Sequence, residues 1–365
     1  MPEDDRYQHY KVLKRADGSL WELGRGAMGI TYKAYDTNLR CTVALKVINA
    51  AYLESDTARQ RFLREARAAA ALRHQNVAAV FHLGTDHGNY FYAMEFIDGQ
   101  TIDEYMKQKG RLEPLEALDI ALQVTRALTA AARQQLVHRD LKPANLMLVD
   151  EDGEKVVKVI DFGLAKSAKR EGGDSGPLTV GGGFVGTPHF ASPEQLEEGD
   201  IDVRSDIYSL GATLYYLVTG RPPFAGSVAQ IMSQHLYKPV PAEPLQGFPA
   251  PFVALIVSML AKDRDQRPQT PIELRQKIQT CLQELRAAGT SKAAPGPANH
   301  VRPDTTATLT LVLPSGPPVA VGAVFAQKYR VEAALPDHLA GKCYRAVELG
   351  PRALNVRLLV LSREF

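Results

Sequence analysis

The run Val137-His138-Arg139-Asp140-Leu141-Lys142-Pro143-Ala144-Asn145-Leu146 sets the tightest limit on how this 365-residue chain can fold. It packs a carboxylate, a cation and an amide into a few residues flanked by apolar ones. That pattern suits a loop held between packed elements rather than a helix or a strand. Shortly downstream, Val159-Ile160-Asp161-Phe162-Gly163 sets a second carboxylate at the end of an apolar strand. A charge in that place is costly unless something pairs with it. Any fold for this chain must therefore bring both acidic positions to one polar cleft.

The rest of the sequence supplies two unlike halves around those strings. Tyr10–Leu13 and Ser19–Leu23 flank Ala16-Asp17-Gly18, which predicts a short hairpin, because Asp-Gly favours the positive φ of tight turns. Alternation predicts strands over Ile30–Tyr35 and Thr42–Ile48, a helix over Ala58–Leu72, and a strand pair at Val77–Gly84 and Tyr90–Phe96. Beyond Gly99 helical patterns dominate, Pro114–Ala132 most clearly, with a small hairpin at Met147–Leu148 and Val156–Ile160. The expected class is α+β and bilobal: a small antiparallel-sheet lobe with one helix over about 10–97, and a larger, mostly helical lobe over 98–288.

Phosphoryl transfer asks a protein chiefly for positioning and charge neutralisation, and the remaining motifs fit that demand. Gly24-Arg25-Gly26-Ala27-Met28-Gly29 lies between two strand patterns, not before a helix, which favours a glycine-rich lid over phosphates to a dinucleotide fold. The plain alternative is a glycine-bearing hairpin turn. Lys46 stands in the apolar run Val43–Val47, either as a solvated edge lysine or as a cation aimed into the cleft. Glu65, on the following helix, is its obvious carboxylate. Asp140 can accept a hydroxyl proton, Lys142 can balance charge on the moving group, and Asn145 and Asp161 can offer oxygens to Mg²⁺.

Together these strings resemble the eukaryotic-like serine/threonine protein kinase family in its bacterial style, over roughly residues 21–285. The resemblance implies ATP and Mg²⁺, with Mn²⁺ as a substitute, and transfer to Ser or Thr hydroxyls of proteins. It assigns Asp140 as catalytic base, with Lys142 and Asn145 as its loop partners, and Asp161 with Asn145 as metal ligands. The nucleotide site implied is Leu23, Gly24, Arg25, Gly26, Ala27, Met28, Gly29, Ile30, Thr31, Ala44, Lys46, Glu65, Met94, Glu95, Ile97 and Met147. Within it Lys46 pairs with Glu65, Met94 is the gatekeeper, Glu95 and Ile97 offer backbone groups to adenine, and Ala44 and Met147 sandwich its ring. Ser192-Pro193-Glu194 resembles the family's Ala-Pro-Glu segment, Arg267 the arginine that pairs with its glutamate, and Asp206 the aspartate that braces the catalytic loop. Lys142 and Gly186-Thr187-Pro188, with Thr187 expected to contact Asp140 and Lys142, imply Ser/Thr specificity. Thr31 for valine and Ser192 for alanine are small departures. Arg139 implies a switch in which a phosphate on Thr179, or on Ser175, orders the loop before Glu194.

A Pro/Ala/Thr-rich stretch, 289–322, reads as a linker. After it the sequence repeats its own beginning: Tyr344-Arg345-Ala346 falls on Tyr32-Lys33-Ala34, Gly341 on Gly29, and Val356–Val360 on Val43–Val47 after one inserted residue. In that register Pro336 and His338 replace Gly24 and Gly26, and Leu359 replaces Lys46. Residues 323–365 are therefore expected to begin a degenerate second small lobe unable to bind ATP; an unrelated strand-rich tail is the alternative. Two other functional readings compete. A non-enzymatic scaffold commonly lacks one of Lys46, Glu65, Asp140, Asn145 and Asp161, whereas all are present; a small-metabolite kinase commonly lacks the Gly186–Glu194 segment. Nucleic-acid binding has no support in a net charge of +2. Three scattered cysteines, no signal-peptide pattern and no run of about twenty apolar residues point to the cytoplasm, with Cys41, Cys281 and Cys343 as inert packing residues. Membrane attachment through sequence beyond Phe365, and the oligomeric state, are left open.

Overall fold

The structure, a computed structural model, describes residues 5–26, 29–53, 55–86, 88–162, 188–197 and 199–291, and the backbone of five strands beyond them. It divides into two units, Met1–Ala293 and Ala294–Phe365.

The first unit opens with β1 (Arg6–Tyr7), β2 (Tyr10–Val12), β3 (Glu22–Gly26), β4 (Gly29–Asp36) and β5 (Cys41–Ile48), then α1 (Asp56–Ala71), β6 (Val80–Asp86) and β7 (Asn89–Glu95). The strands form one antiparallel sheet in the order β1-β2-β4-β5-β7-β6, with β3 beside β4. Period-two alternation gives the sheet two apolar faces. Val43 and Leu45 of β5 join Tyr10, Tyr32, Phe91 and Ala93 in one core. Ala44 and Ile48 join the main core with Phe62 and Ala66 of α1. Lys46 shares the face of Ala44 and Ile48, so the strand register itself turns its ammonium toward the cleft. In α1, Ser55 caps the N-terminus by accepting from Ala58 N at 3.1 Å. The buried stripe of that helix runs Ala58, Phe62, Glu65, Ala66, Ala69, which carries Glu65 inward with the apolar residues.

The second half of this unit holds a small sheet, β10-β9-β8, of β8 (Gln100–Thr101), β9 (Leu146–Glu151) and β10 (Glu154–Val159). Its helices are α2 (Ile102–Lys109), α3 (Pro114–Arg133), α4 (Pro193–Leu196), α5 (Val203–Thr219), α6 (Val228–Tyr237), α7 (Ala250–Met259) and α8 (Pro271–Ser291). The segment between α1 and β6 welds the two halves. Val77 bridges Val159, Val159 N donates to Asn76 O at 2.8 Å, and Asn76 Nδ2 donates to Val157 O at 2.8 Å. This is the expected α+β, two-lobed arrangement.

Three local expectations need correction. The hairpin expected from Tyr10 to Leu23 is a turn closed by a single bridge, Lys14 to Leu20; β2 pairs with β1 and β4 instead. Cys41, expected to be packed away, is exposed at the start of β5, whereas Cys281 is buried in α8. The 289–322 stretch expected as a linker contains a strand, and α8 runs past 288.

The second unit is a five-stranded sheet of β11 (Leu309–Leu313), β12 (Val324–Phe325), β13 (Tyr329–Ala334), β14 (Gly341–Glu348) and β15 (Asn355–Leu361), in the order β11-β15-β14-β13-β12. β12 through β15 form an antiparallel meander, and β11 adds parallel to β15.

Candidate active site

The glycine-rich segment divides into open and closed positions. A Cβ on Gly24 or Gly26 would meet nothing within 4 Å, so the backbone there is bare toward the cleft. Gly29 differs: its φ is +148°, and a Cβ would lie 1.9 Å from Val47 O. Its lack of a side chain is required by the β4–β5 ladder itself. Arg25 is tied to Glu22 by a bidentate ion pair at the strand surface. Ala27 and Met28 lie outside the described residues.

On the floor of the cleft Lys46 donates to both carboxylate oxygens of Asp161. The Tyr92 hydroxyl donates to Asp161 Oδ1 at 2.7 Å. Burial pushes the Asp161 carboxyl up, but the Lys46 charge and hydrogen bond and the Tyr92 hydroxyl outweigh it and hold the group below its usual range. Asp161 itself has φ +61°, a left-handed backbone uncommon for a residue other than glycine. The expected pairing of Lys46 with Glu65 is not what the structure has. Glu65 Oε1 accepts from Arg139 Nη1 at 2.7 Å, and Lys46 is taken by Asp161. The physical reason is that Asp161, turned by its backbone toward β5, offers two oxygens to the ammonium.

The catalytic loop is held by its backbone. Buried Asp206 on α5 accepts from His138 N at 2.7 Å and Arg139 N at 2.9 Å; its burial pushes its carboxyl up from the ordinary value. The His138 ring packs 4.7 Å from Phe162 and bonds Ile160 O at 3.0 Å, joining the loop to the Asp161 segment. Within this frame Lys142 Nζ donates to Asp140 Oδ2 at 2.9 Å. Asn145 Nδ2 donates to Asp140 O at 2.7 Å and to its Oδ2 at 3.1 Å. Ile160 N donates to Asn145 O at 3.0 Å, so the two acidic segments are bonded neighbours.

On the opposite wall, Ala44 and Met94 are register partners on β5 and β7, both buried, and Met147 is half-buried on β9. Glu95 N is spent on Ala79 O at 2.8 Å, which leaves its carbonyl as the group it can offer an adenine. Ile97 is buried just beyond. Leu23 and Ile30 lie on the paired strands β3 and β4, and Thr31 is the register partner of Lys46. The donor set also suits a hard cation. Asn145 has its amide nitrogen engaged, so it presents an oxygen, and Asp161 adds a carboxylate whose Oδ2 is bonded by Lys46 and not by Tyr92. Mg²⁺ characteristically takes one or two protein oxygens and completes its shell with phosphates and water. Among the described residues no cluster of three or more His, Cys, Asp or Glu could hold a metal by itself.

Below the loop, Glu194 accepts a bidentate pair from buried Arg267, at 2.8 and 3.0 Å, and a bond from the Ser205 hydroxyl. Gln195 Nε2 donates to Arg139 O at 2.8 Å, linking this segment back to the loop. Ser175, Thr179, Gly186 and Thr187 lie outside the described residues. Sequence reasoning missed Tyr92 and the Arg139–Glu65 pair. The first was findable, because Tyr92 precedes Met94 by two and so shares its strand face. The second had no local signal.

Comparison with known proteins agrees with this geometry. The protein kinase domain family matches residues 19–281. The chain is 36% identical over 277 residues to serine/threonine-protein kinase PrkC of Bacillus subtilis, covering 74% of this chain and 42% of that protein. It is 36% identical over 260 residues to serine/threonine-protein kinase PknB of Mycobacterium leprae, covering 69% and 41% respectively. The chain thus spans about two fifths of the length of these curated relatives. Among solved structures, the Mycobacterium tuberculosis PknI kinase domain matches with a TM-score of 0.60 at 26% identity, over 77% of this chain and 99% of that one. The chain belongs to the protein kinase family, and residues 19–281 are a serine/threonine kinase domain of the bacterial PknB and PrkC type.

Proposed function

We propose that this chain transfers the γ-phosphoryl group of ATP to Ser and Thr hydroxyls of protein substrates and of itself. The observation that carries this is the Asp140–Lys142–Asn145 cluster, bonded through Asn145 and Ile160 to the segment that bears Asp161. Asp140 is half-buried at the mouth of the loop and accepts the proton of an incoming hydroxyl as that hydroxyl attacks. Lys142, bonded to that carboxylate, then faces the charge that collects on the transferred group. Lys46 holds the nucleotide phosphates, and the bare backbone at Gly24 and Gly26 closes over them. Asp161 and Asn145 would hold Mg²⁺, or Mn²⁺ in its place, which when bound neutralises the phosphate oxygens. Met94, Glu95, Ile97, Ala44 and Met147 frame the adenine.

The partner exchange seen here supports a resting arrangement. Lys46 is occupied by Asp161, and Glu65 by Arg139, whose Nε is buried without a hydrogen-bond partner among the described residues. A phosphate on Thr179 or Ser175 offers Arg139 a stronger, doubly charged acceptor. Drawing Arg139 away releases Glu65 to Lys46. The same two residues thus serve an off and an on state, and Thr179 is the favoured site.

The strand registers also support the reading of residues 323–365 as a degenerate copy of the first small lobe. Tyr344 pairs with Leu358 as Tyr32 pairs with Leu45, and Gly341 with Leu361 as Gly29 with Ile48. Val331 pairs with Ala346 as Val12 with Ala34, and Phe325 with Tyr329 as Tyr7 with Tyr10.

The decisive test uses labelled Mg·ATP with the chain alone and with a generic basic protein, comparing wild type with Asp140→Asn. Label on Ser and Thr, reduced roughly a hundred- to ten-thousand-fold in the variant while ATP still binds, is the expected result. Equal labelling of both proteins would remove Asp140 from its role. No labelling of either, with ATP bound, would favour the scaffold reading.

A further inference from the structure

We infer that Tyr92 is a positioning residue for the metal ligand Asp161 and sets the affinity of the site for its divalent cation. This rests on the assignment of Asp161 as a metal ligand. Tyr92 sits in the middle of β7, 2% exposed, directly opposite Lys46 in the β5–β7 register. Its ring is packed in the main core, and it lines a narrow cavity behind Met94 with Ala69, Val77, Val80 and Phe162. A buried tyrosine in such a place needs a partner for its hydroxyl. The partner it has is Oδ1 of Asp161, at 2.7 Å, a short bond to an ionised acceptor.

Among the described residues, the other donor to that carboxylate is Lys46. Lys46 is also the cation that nucleotide phosphates recruit, so its hold on Asp161 weakens when the nucleotide arrives. Tyr92 has no such competing demand. Its hydroxyl is fixed by a packed ring on a central strand, whereas Asp161 stands on a left-handed backbone beyond the end of β10. With Lys46 drawn to the nucleotide, Tyr92 would remain the donor on Oδ1 and so orient the carboxylate that would hold the cation. Outer donors of this kind characteristically change metal affinity by ten- to a hundredfold when removed.

The test is titration of Mn²⁺ into the full chain saturated with a non-hydrolysable ATP analogue, following free Mn²⁺ by electron paramagnetic resonance. Tyr92→Phe keeps the ring and its packing. It is expected to weaken Mn²⁺ about tenfold while leaving the affinity for metal-free nucleotide unchanged, a split that a merely structural role would not produce. If Tyr92→Phe does not fold, judged by thermal melting, Tyr92→Leu carries the same comparison. Mn²⁺ binding as tight as wild type, or tighter, would overturn the inference, the second outcome marking the hydroxyl as a competitor of the cation. Asp161→Asn run alongside separates the two layers. Loss of specific Mn²⁺ binding there, with no change in Tyr92→Phe, defeats the Tyr92 role alone; unchanged binding in Asp161→Asn defeats the metal assignment beneath it.

Discussion

Gly24, Gly26 and Gly29 belong to one motif and obey different physics. At Gly29 an added Cβ collides with Val47 O, and the positive φ is unfavourable to any side chain, so Gly29→Ala must open the β4–β5 ladder. It is expected to cost about 2–3 kcal/mol in denaturant unfolding. Gly24→Ala and Gly26→Ala meet open space, so stability should stay within about 0.5 kcal/mol while ATP titration shows weaker binding. Wild-type ATP affinity in those two variants would remove them from the phosphate lid. The same contrast explains what was legible. That Lys46 faces the cleft follows from two-residue alternation with Ala44 and Ile48, which a sequence displays. Which carboxylate takes it depends on the φ of Asp161 and the reach of Tyr92. Those are tertiary facts with no local imprint, so Glu65 was the natural partner on paper and Asp161 the one the structure has.

At the scale of elements, one carboxylate ties three of them together. Glu116 on α3 accepts from Tyr105 at 2.7 Å and Lys109 at 2.6 Å, both on α2, and from Lys155 on β10 at 2.9 Å. Burial alone would raise its carboxyl, but bonds from Lys109, Lys155 and Tyr105 bring it from 4.5 to about 2. Because the folded value is the depressed one, the stabilisation is complete above pH 4.5 and is lost as pH falls from there toward about 2. The lysines are nearly half exposed, so solvent screening leaves a contribution of about 1 kcal/mol. Glu116→Gln should therefore be less stable than wild type at neutral pH by that amount, with the two urea curves converging near pH 2. A gap that persists into acid would mean packing, not charge, accounts for the loss. Elements with a strong period, α1 and α3, could be read from the sequence nearly to their ends. The partner of Tyr10–Val12 could not, because β2 pairs with β1 and with the distant β4 rather than across the Asp17-Gly18 turn. Helix α5 is buried on almost every side and so shows no amphipathic stripe to read.

For the molecule as a whole, the proposed reading of residues 323–365 as a degenerate copy carries a consequence for nucleotide stoichiometry. In the second unit Leu359 pairs with Cys343 where, in the first, Lys46 pairs with Thr31. A leucine at that register position cannot neutralise a phosphate, and in the sequence alignment proline and histidine replace Gly24 and Gly26. The neighbours of β5 and β15 also differ. β5 is flanked by antiparallel β7, which carries Met94 and Glu95, whereas β15 is flanked by parallel β11, a strand arriving from before the meander. On the proposed reading, the strands described for the second sheet carry no counterpart of Lys46 and none of the β7 strand that bears Met94 and Glu95 in the first. Calorimetric titration of the full chain with Mg·ATP analogue should then give one site per chain, and Lys46→Met should weaken that site with no second binding event behind it. A Lys46-independent site of comparable affinity would mean the meander retains nucleotide binding through other residues, and the reading of it as an inert copy would have to be given up.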